Sequence, residues 1–385
     1  MNRHQLSTEH ADLRAAVEEF ARGEVAPVIG DYYEREAFPY EIVAKMGRMG
    51  LFGLPFPEEH GGMGGDYFAL CLALEELARV DSSVAITLEA GVSLGAMPIF
   101  RFGTEDQRRA YLPRLTSGEA LGAFGLTEPD GGSDAGATRT TARLEDGQWV
   151  INGTKSFITN SGTDITALVT VTAVTGRRED GRPEISSILV PAGTPGFSVG
   201  QKYSKVGWNA SDTNELVFED CRVPEANLVG ERGRGYAQFL RILDEGRIAI
   251  AALSVGLAQG CVDESVRYAH ERHAFGNAIG SYQAIQFKIA EMETRAHTAR
   301  LAYYDAASRM LAGEPFKKEA AVAKLVASNA AMDNARDATQ VFGGYGFMND
   351  YPVGRFYRDA KILEVGEGTS EVQKMLIARE LGLPA

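Results

Sequence analysis

Glu367 stands between two glycines, Gly366 and Gly368, in the run Ile362-Leu363-Glu364-Val365-Gly366-Glu367-Gly368-Thr369-Ser370-Glu371-Val372-Gln373. Ser370 and Gln373 have the S-x-x-Q spacing of a capping box, so a helix is expected to open at Ser370. The flanking glycines let backbone approach a ligand closely, because no Cβ intervenes. A carboxylate so placed is held by a rigid element yet open to a partner, as a general base must be. The same residues also suit a solvated first-turn acid favoured by the helix dipole, and the run taken alone favours that second reading.

Other clusters could bind rather than react. Phe124-Gly125-Leu126-Thr127-Glu128-Pro129-Asp130-Gly131-Gly132-Ser133-Asp134 combines exposed backbone N–H groups with the Thr127 and Ser133 hydroxyls, which suits carbonyl or phosphate oxygens. An ordinary Pro-Asp-Gly-Gly turn explains it as well. Ser156-Phe157-Ile158-Thr159-Asn160 sets an aromatic face beside a hydroxyl, fit to wall a flat ring system or to fill a strand interior. Arg272-His273-Ala274-Phe275-Gly276, with Gln283 a short loop later, offers a guanidinium for a pyrophosphate and a phenyl ring for a planar face. Gln340-Val341-Phe342-Gly343-Gly344-Tyr345-Gly346 would let backbone lie flat on a large ligand. Gly230, Gly233 and Gly235 lack the order of a dinucleotide fingerprint, and Gly61 to Gly65 lacks the ending of a P-loop and reads as a turn.

Three segments must position these groups. Residues 1–120 read as helices: Leu13, Val17 and Phe20 share a face of an opening helix expected to stop before Pro27, Tyr67 to Val80 is a strong helical run, and Thr104 with Gln107 offers a capping box. Residues 121–228 read as a β-domain. Asp146-Gly147 and Asn152-Gly153 are residues that two-residue hairpin turns require, so a β-meander is expected there. Further strands are expected at Ala167 to Val174, Ile185 to Val190, Phe197 to Val199 and Glu215 to Phe218, with Arg177 to Pro183 a hairpin tip. Residues 229–385 return to long helices at Tyr236 to His270, Tyr282 to Met310, Lys317 to Val341 and Ser370 to Leu381, several Ala-rich on both faces as in a bundle. The class is α+β multidomain, and a ligand would lie where the segments meet.

At 385 residues the chain exceeds the roughly 250–300 at which one core stops growing. A net charge of −13 without a Lys/Arg block makes nucleic acid and anionic membrane poor default partners. The longest mostly apolar run, Ile248 to Ala258, is too short to span a bilayer, and no signal-peptide pattern opens the chain. Cys71, Cys221 and Cys261 form no C-x-x-C pair, and the six histidines include no H-E-x-x-H, so neither a disulfide framework nor a metal site is expected. The default address is the cytoplasm.

The motifs Phe124 to Asp134, Phe157 to Asn160, Asp244-Glu245-Gly246-Arg247, Arg272 to Gly276, Gln340 to Gly346 and Glu367 to Glu371 together resemble the acyl-CoA dehydrogenases, in order and over essentially the whole chain. The resemblance implies an N-terminal helical domain, a middle antiparallel β-domain and a four-helix-bundle-type C-terminal domain. It implies α,β-dehydrogenation of a short- or branched-chain acyl-CoA to the trans-2-enoyl-CoA with FAD as hydride acceptor, electrons passing on to electron-transfer flavoprotein. A place in fatty-acid or branched-chain amino-acid breakdown would follow. Glu367 matches the catalytic base, and the thioester oxygen would be held by the backbone N–H of that residue and by a flavin ribityl hydroxyl.

Phe124, Leu126, Thr127, Ser133, Phe157 and Thr159 match flavin contacts, Phe157 standing where several relatives carry Trp. Arg272, Phe275, Gln283, Gln340, Gly343 and Gly344 match contacts to the FAD adenosine and pyrophosphate, which the family donates partly from a neighbouring subunit; a homotetramer, or at least a dimer, is implied. Thr369 and Glu371 match cofactor contacts after the base, while Ser133, Asp244, Arg247, Gly366 and Gly368 match the substrate side. Two departures matter. Where some relatives carry the base on the bundle helix, this chain has Gly246, so no second carboxylate is expected to compete, and Glu245 reads as a solvated or structural acid. Where many straight-chain relatives carry Tyr before the base, this chain has Gly366, which either widens the pocket or is compensated by another side chain. Alternatives on the same scaffold are an oxidase delivering electrons to dioxygen, a dehydrogenase of acyl-carrier-protein thioesters, and a non-catalytic DNA-binding flavoprotein. The last would need a basic stripe after Tyr236, where the signs are mixed.

Overall fold

The computed structural model of the chain describes residues 6–384. The N-terminal segment holds α1 (Thr8–Phe20), α2 (Ala26–Glu34), α3 (Tyr40–Arg48), α4 (Tyr67–Ala78), α5 (Ser82–Glu89), α6 (Met97–Phe102) and α7 (Glu105–Thr116). Polar caps start them: Ser7 for α1, Asp66 for α4 and Asp81 for α5 each accept backbone N–H groups of the first turn. The Thr104–Gln107 capping box of α7 forms with both bonds, and the Gln107 amide also donates to the Ala226 and Leu228 carbonyls at 2.8 and 2.9 Å. The helix does not stop before Pro27. A π-helical turn, Ala21–Val25, carries α1 into α2, where Pro27 lies in the first turn and its missing N–H costs no bond.

The middle segment is one eight-stranded sheet: β1 (Leu121–Gly125), β2 (Thr141–Glu145), β3 (Gln148–Thr159), β4 (Thr166–Arg177), β5 (Pro183–Pro191), β6 (Phe197–Lys202), β7 (Thr213–Pro224) and β8 (Leu228–Val229). Its order is β6-β7-β3-β2-β4-β5-β8, with β1 added parallel to β4. Asp146 and Gly147, at φ 49° and 75°, make the expected β2–β3 turn, and Arg177 faces Pro183 at the β4–β5 tip. Asn152-Gly153 is not a second turn. It lies within β3, where the register against β7 shifts, and Asn152 exchanges hydrogen bonds with Asp220 across the strands at 3.0 and 2.8 Å. The expected meander is therefore replaced by one long bulged strand that reaches Thr159.

The C-terminal segment packs α8 (Gly235–Glu271), α9 (Gln283–Leu311), α10 (Lys317–Phe342), α11 (Pro352–Leu363) and α12 (Ser370–Glu380), with a small hairpin of β9 (His273–Ala274) and β10 (Asn277–Ala278) after α8. On α10, Ala320, Ala323, Ala327, Ala331, Ala335 and Ala338 recur every three or four residues and are buried, which lets helix axes approach closely. By length and composition alone Ser82–Phe102 and Gly235–Glu271 could cross a membrane, but 89% and 83% of their apolar windows are buried inside the fold. They are core helices.

One buried polar junction fixes the three segments together. Asp359 of α11 accepts from Tyr33 of α2 (2.6 Å), Ser82 of α5 (2.7 Å) and the Trp208 backbone of the β6–β7 connection (2.7 Å), while Arg355 pairs with Asp81 at 2.9 Å. Two helices held there, α5 and α11, end at Glu89 and just before Glu367.

Candidate active site

Glu367 lies in the turn between α11 and α12. The N–H groups of Val365 and Gly366 both return to the Ile362 carbonyl, at 2.9 and 2.7 Å, which closes α11. Glu367 and Gly368 then take left-handed conformations, φ 51° and 94°. Such a conformation in a non-glycine residue persists only where surrounding contacts enforce it. The turn ends one residue earlier than the S-x-x-Q spacing suggests. Thr369 is the cap, its hydroxyl accepting from the Val372 N–H at 3.3 Å, while Ser370 is already helical and its hydroxyl is buried without a partner. Gln373 donates instead to the Gly368 carbonyl at 2.9 Å. The left-handed Gly368 leaves Thr369 in the extended backbone a cap requires, at φ −58° and ψ 163°. The Glu367 N–H meets no protein acceptor among the described residues.

The carboxylate turns inward onto α8. A Cβ on Gly246 would stand 2.8 Å from Glu367 Oε2, so the missing side chain is what admits that carboxylate, while Glu89 Oε1, at 3.9 Å, would be in ordinary contact. Position 246 itself offers no carboxylate, but Glu89, from α5, brings a second one to face Glu367. Glu245 is not solvated: it is buried and bonded to Arg101 through both oxygens, at 3.1 and 3.2 Å. Burial pushes the Glu367 carboxyl above the usual range, with Lys324 and Arg247 pulling it back. Burial, then the facing Glu367, pushes Glu89 well above it. Besides the Ser93 hydroxyl beside Glu89, no neighbouring side chain offers a donor to the facing Glu89 and Glu367 Oε2 oxygens, and one proton shared between the two carboxyls would supply it.

Three cationic and polar groups complete the site. Arg247 is buried, donates to Asp244, and keeps its Nε unpartnered. Lys324 of α10 is fully buried and donates to the Gly368 carbonyl at 2.8 Å. Glu371, in the first turn of α12, is held below the usual carboxylate range by hydrogen bonds to its own N–H and to Thr369. Glu89 and Lys324 escaped the sequence reading. Their signal was present: each is a lone charge in an apolar helical stretch, Val84-Ala-Ile-Thr-Leu-Glu89 and Ala320-Ala-Val-Ala-Lys324-Leu-Val-Ala.

On the β-domain side, Phe157 has φ 63° and is 62% exposed, its ring 5.0 Å from that of Tyr203. A large apolar ring held out by a left-handed backbone is a free wall. Thr159 is half-buried beside it, and Asn160 anchors this strand end by donating to the Thr87 carbonyl of α5 at 3.0 Å. The loop after β1 is pinned from beneath. Lys155 pairs with Glu128 at 2.7 Å and donates to the Leu126 carbonyl at 3.1 Å, while Glu128 accepts the Arg139 and Thr140 N–H groups. Burial pushes the Lys155 amine down to about 8 in spite of Glu128. Leu126 and Thr127 are half-buried on this loop and Ser133 is exposed at its tip. The Phe124 ring is instead buried on Phe239, with centroids 4.6 Å apart, leaving only its backbone for a bound group.

The remaining residues gather elsewhere. An open cavity of about 490 Å³ is lined by Tyr268, Arg272, Phe342, Gly343, Gly344 and Tyr345 among others, and Glu367 does not line it. The Arg272 guanidinium lies over the Tyr345 ring at 5.8 Å. A Cβ at either Gly343 or Gly344 would meet nothing within 4 Å, so their backbone faces open space. Phe275 has φ 51° and is 95% exposed, and Gln283 and Gln340 are exposed. An exposed guanidinium, bare glycine backbone and unfilled aromatic faces fit the pyrophosphate and adenosine of an FAD, and Phe157 with Thr159 fits its ring.

A helix–sheet–helix scaffold with a buried carboxylate and surfaces suited to a flavin fits an oxidoreductase class, and the relatives specify it. Family models match three consecutive parts: acyl-CoA dehydrogenase N-terminal domain over residues 7–119, middle domain over 123–221, and C-terminal domain over 233–382. The short-chain specific acyl-CoA dehydrogenase of Clostridium acetobutylicum is 45% identical over 98% of this chain and 98% of its own. Among solved structures, butyryl-CoA dehydrogenase from Megasphaera elsdenii superposes with a TM-score of 0.94 at 40% identity, covering 98% of this chain and 99% of its own. A chain solved in work on the electron transferring flavoprotein of Acidaminococcus fermentans gives 0.95 at 41% identity, covering 98% and 99%. The chain belongs to the acyl-CoA dehydrogenase family.

Proposed function

We propose that the protein dehydrogenates short-chain, including branched, acyl-CoA thioesters between Cα and Cβ, with Glu367 as the base. The observation that carries this is the Glu367 turn itself: a carboxylate with one oxygen sealed from water and lacking a donor, beside its own unpaired backbone N–H. The carboxylate takes the α-proton, and the electron pair of that C–H bond moves toward the thioester carbonyl. The free N–H of Glu367 is suited to receive the charge growing on that oxygen. Burial strengthens both interactions and raises the basicity of Glu367. When bound, FAD supplies the two-electron acceptor for the hydrogen leaving the β-carbon. Phe157 and Thr159 would wall its ring, Leu126, Thr127 and Ser133 would offer polar contacts, and Arg272, Gly343 and Gly344 would hold its pyrophosphate end.

Arg247, with an unsatisfied Nε, and Asp244 belong to the substrate side of this reading. The short-chain preference draws on the butyryl-CoA and short-chain specific relatives and on Gly366. Ile362 takes part of the space there, its side chain 3.7 Å from where a Cβ of residue 366 would stand. Electron-transfer flavoprotein is the acceptor we assign, in line with the setting of the Acidaminococcus relative. Self-association is part of the reading as well, since the adenosine-side residues Arg272, Phe275, Gln283 and Gln340 are exposed.

Anaerobic bleaching of the flavin absorbance by butyryl-, isobutyryl-, isovaleryl-, 2-methylbutyryl- and octanoyl-CoA tests the reading. Short acyl-CoAs should bleach the wild type, and Glu367→Gln should slow bleaching by about 10²–10⁴-fold. A protein that cannot bind FAD, or an undiminished Glu367→Gln, would overturn it. A clear preference for octanoyl-CoA would reject the short-chain assignment, and faster reoxidation by air than by electron-transfer flavoprotein would favour an oxidase.

A further inference from the structure

We propose that Lys324 is the positioning residue of the base: its buried ammonium fixes the Gly368 carbonyl and supplies the positive charge that lets Glu367 ionise beside Glu89. The inference rests on the reading of Glu367 as the base.

Lys324 sits on the buried face of α10, among alanines with Ser328 and Asn334 further along, and its side chain is fully buried. Burying an ammonium carries a heavy desolvation cost, so a position that only needed packing would be better served by an apolar residue. Its amine donates to the Gly368 carbonyl, and among the described residues it forms no ion pair within 4.0 Å. The carbonyl it holds belongs to the residue next to Glu367, in the left-handed part of the turn, where no helical ladder fixes the backbone. Gln373 donates to that same oxygen, so the turn is tied to α10 and α12 at one atom.

The charges around Glu367 and Lys324 can be named element by element. Glu367 is faced by Glu89 from the end of α5, Arg247 from α8, where it bonds Asp244, and Lys324 from α10, while Lys324 also feels Glu364 from the end of α11 and Glu371 from α12. Arg247 already serves Asp244, and Glu364 serves Lys361. Lys324 is therefore the nearby cation not committed to another carboxylate, and Glu367 is the acid that acts on it most strongly. Burial lowers that amine to about 8 against the upward pull of Glu367, so it is still mainly a cation near neutrality. Two buried acids with a single nearby uncommitted cation hold one proton between them, and the cation lies on the Glu367 side. Glu89 is then the acid that keeps the proton.

The test uses the flavin-loaded enzyme and acetyl-CoA in D2O, with NMR reading hydrogen exchange at the α-carbon. Acetyl-CoA has no β-carbon to oxidise, so exchange reports proton removal and return without electron transfer. Lys324→Gln keeps a donor and most of the volume but not the charge, while Lys324→Met loses both. Both should move the acid limb of the exchange–pH profile upward by about one unit or more, and slow exchange at pH 7 by about tenfold or more. Flavin content and melting temperature should stay near wild type for Lys324→Gln. A profile that does not move in either variant would overturn the proposal. So would a Lys324→Gln protein that fails to fold or to hold flavin, since that places the lysine in the scaffold. Glu367→Gln in the same assay separates the two readings: exchange surviving there defeats the base assignment, whereas exchange lost there but unmoved by the Lys324 variants defeats only this proposal.

Discussion

Glu89 and Glu367 show what a single missing methyl group can organise. Gly246 leaves the space on α8 that the Glu367 carboxylate enters to face Glu89, and the cost is two carboxyls in a site that disfavours charge. The consequence for stability has a definite sign. Both carboxyls are raised above their unfolded value, about 4.3 for Glu, so the folded state binds protons more tightly than the unfolded one. Their contribution is fully present below that value and is lost as pH rises through the raised folded values. Glu89→Gln, neutral at every pH, should melt higher than wild type at pH 8 by about 2 °C or more, the gap closing as pH falls toward about 4.3. Thermal melts across that range check it, and a gap that widens toward acid would contradict the assignment.

At the scale of elements, the site depends on helices approaching more closely than ordinary side chains permit. Along α8, a Cβ on Gly256 would lie 2.1 Å from the Glu75 carbonyl and 2.9 Å from the Ala78 Cβ of α4. One turn on, a Cβ on Gly260 would lie 2.3 Å from the Arg79 carbonyl. Replacing glycine by alanine inside a helix gains about 1 kcal/mol in propensity. Overpacking against a backbone that cannot yield costs about 1–3 kcal/mol or more. The second effect should win, so Gly256→Ala should lower stability in urea titration and loosen the α4–α8 contact. Gly23→Ala is the control, because nothing lies within 4 Å of its new methyl, and it should be neutral or stabilising by up to about 1 kcal/mol.

At the scale of the whole molecule, the single chain leaves an unfinished edge. Phe275 is 95% exposed and Phe347 is 88% exposed, and the half-exposed Tyr345 lines the cavity that also holds Arg272, Gly343 and Gly344. Rings this exposed are what a neighbouring copy would cover, in keeping with the self-association we propose. Light scattering should then give a mass that is a multiple of 41.6 kDa. Phe275→Ser with Phe347→Ser should shift the protein toward smaller species and release FAD more readily on dilution. A monomeric wild type that retains FAD would remove this part of the reading.

The order of helix, sheet and helix was legible because periodicity changes at 3.6 and 2 residues are local properties of the chain, as are caps such as Thr104–Gln107 and turns such as Asp146-Gly147. Glu367 was marked as a candidate by its flanking glycines and the helix start, but that run alone favoured a solvated acid, and only the resemblance over the whole chain pointed to a base. What sequence misjudged were local signals that distant contacts overrule: Asn152-Gly153 became a bulge because β7 pairs across it, and Thr369 displaced Ser370 as a cap because Gly368 turns left-handed. Neither Glu89 nor Lys324 could be assigned to the base from spacing, for they stand 278 and 43 positions from Glu367 by numbering and meet it only through α5 and α10. A carboxylate's identity is written in the chain; its proton affinity depends on which charges and how much water the folded structure leaves around it.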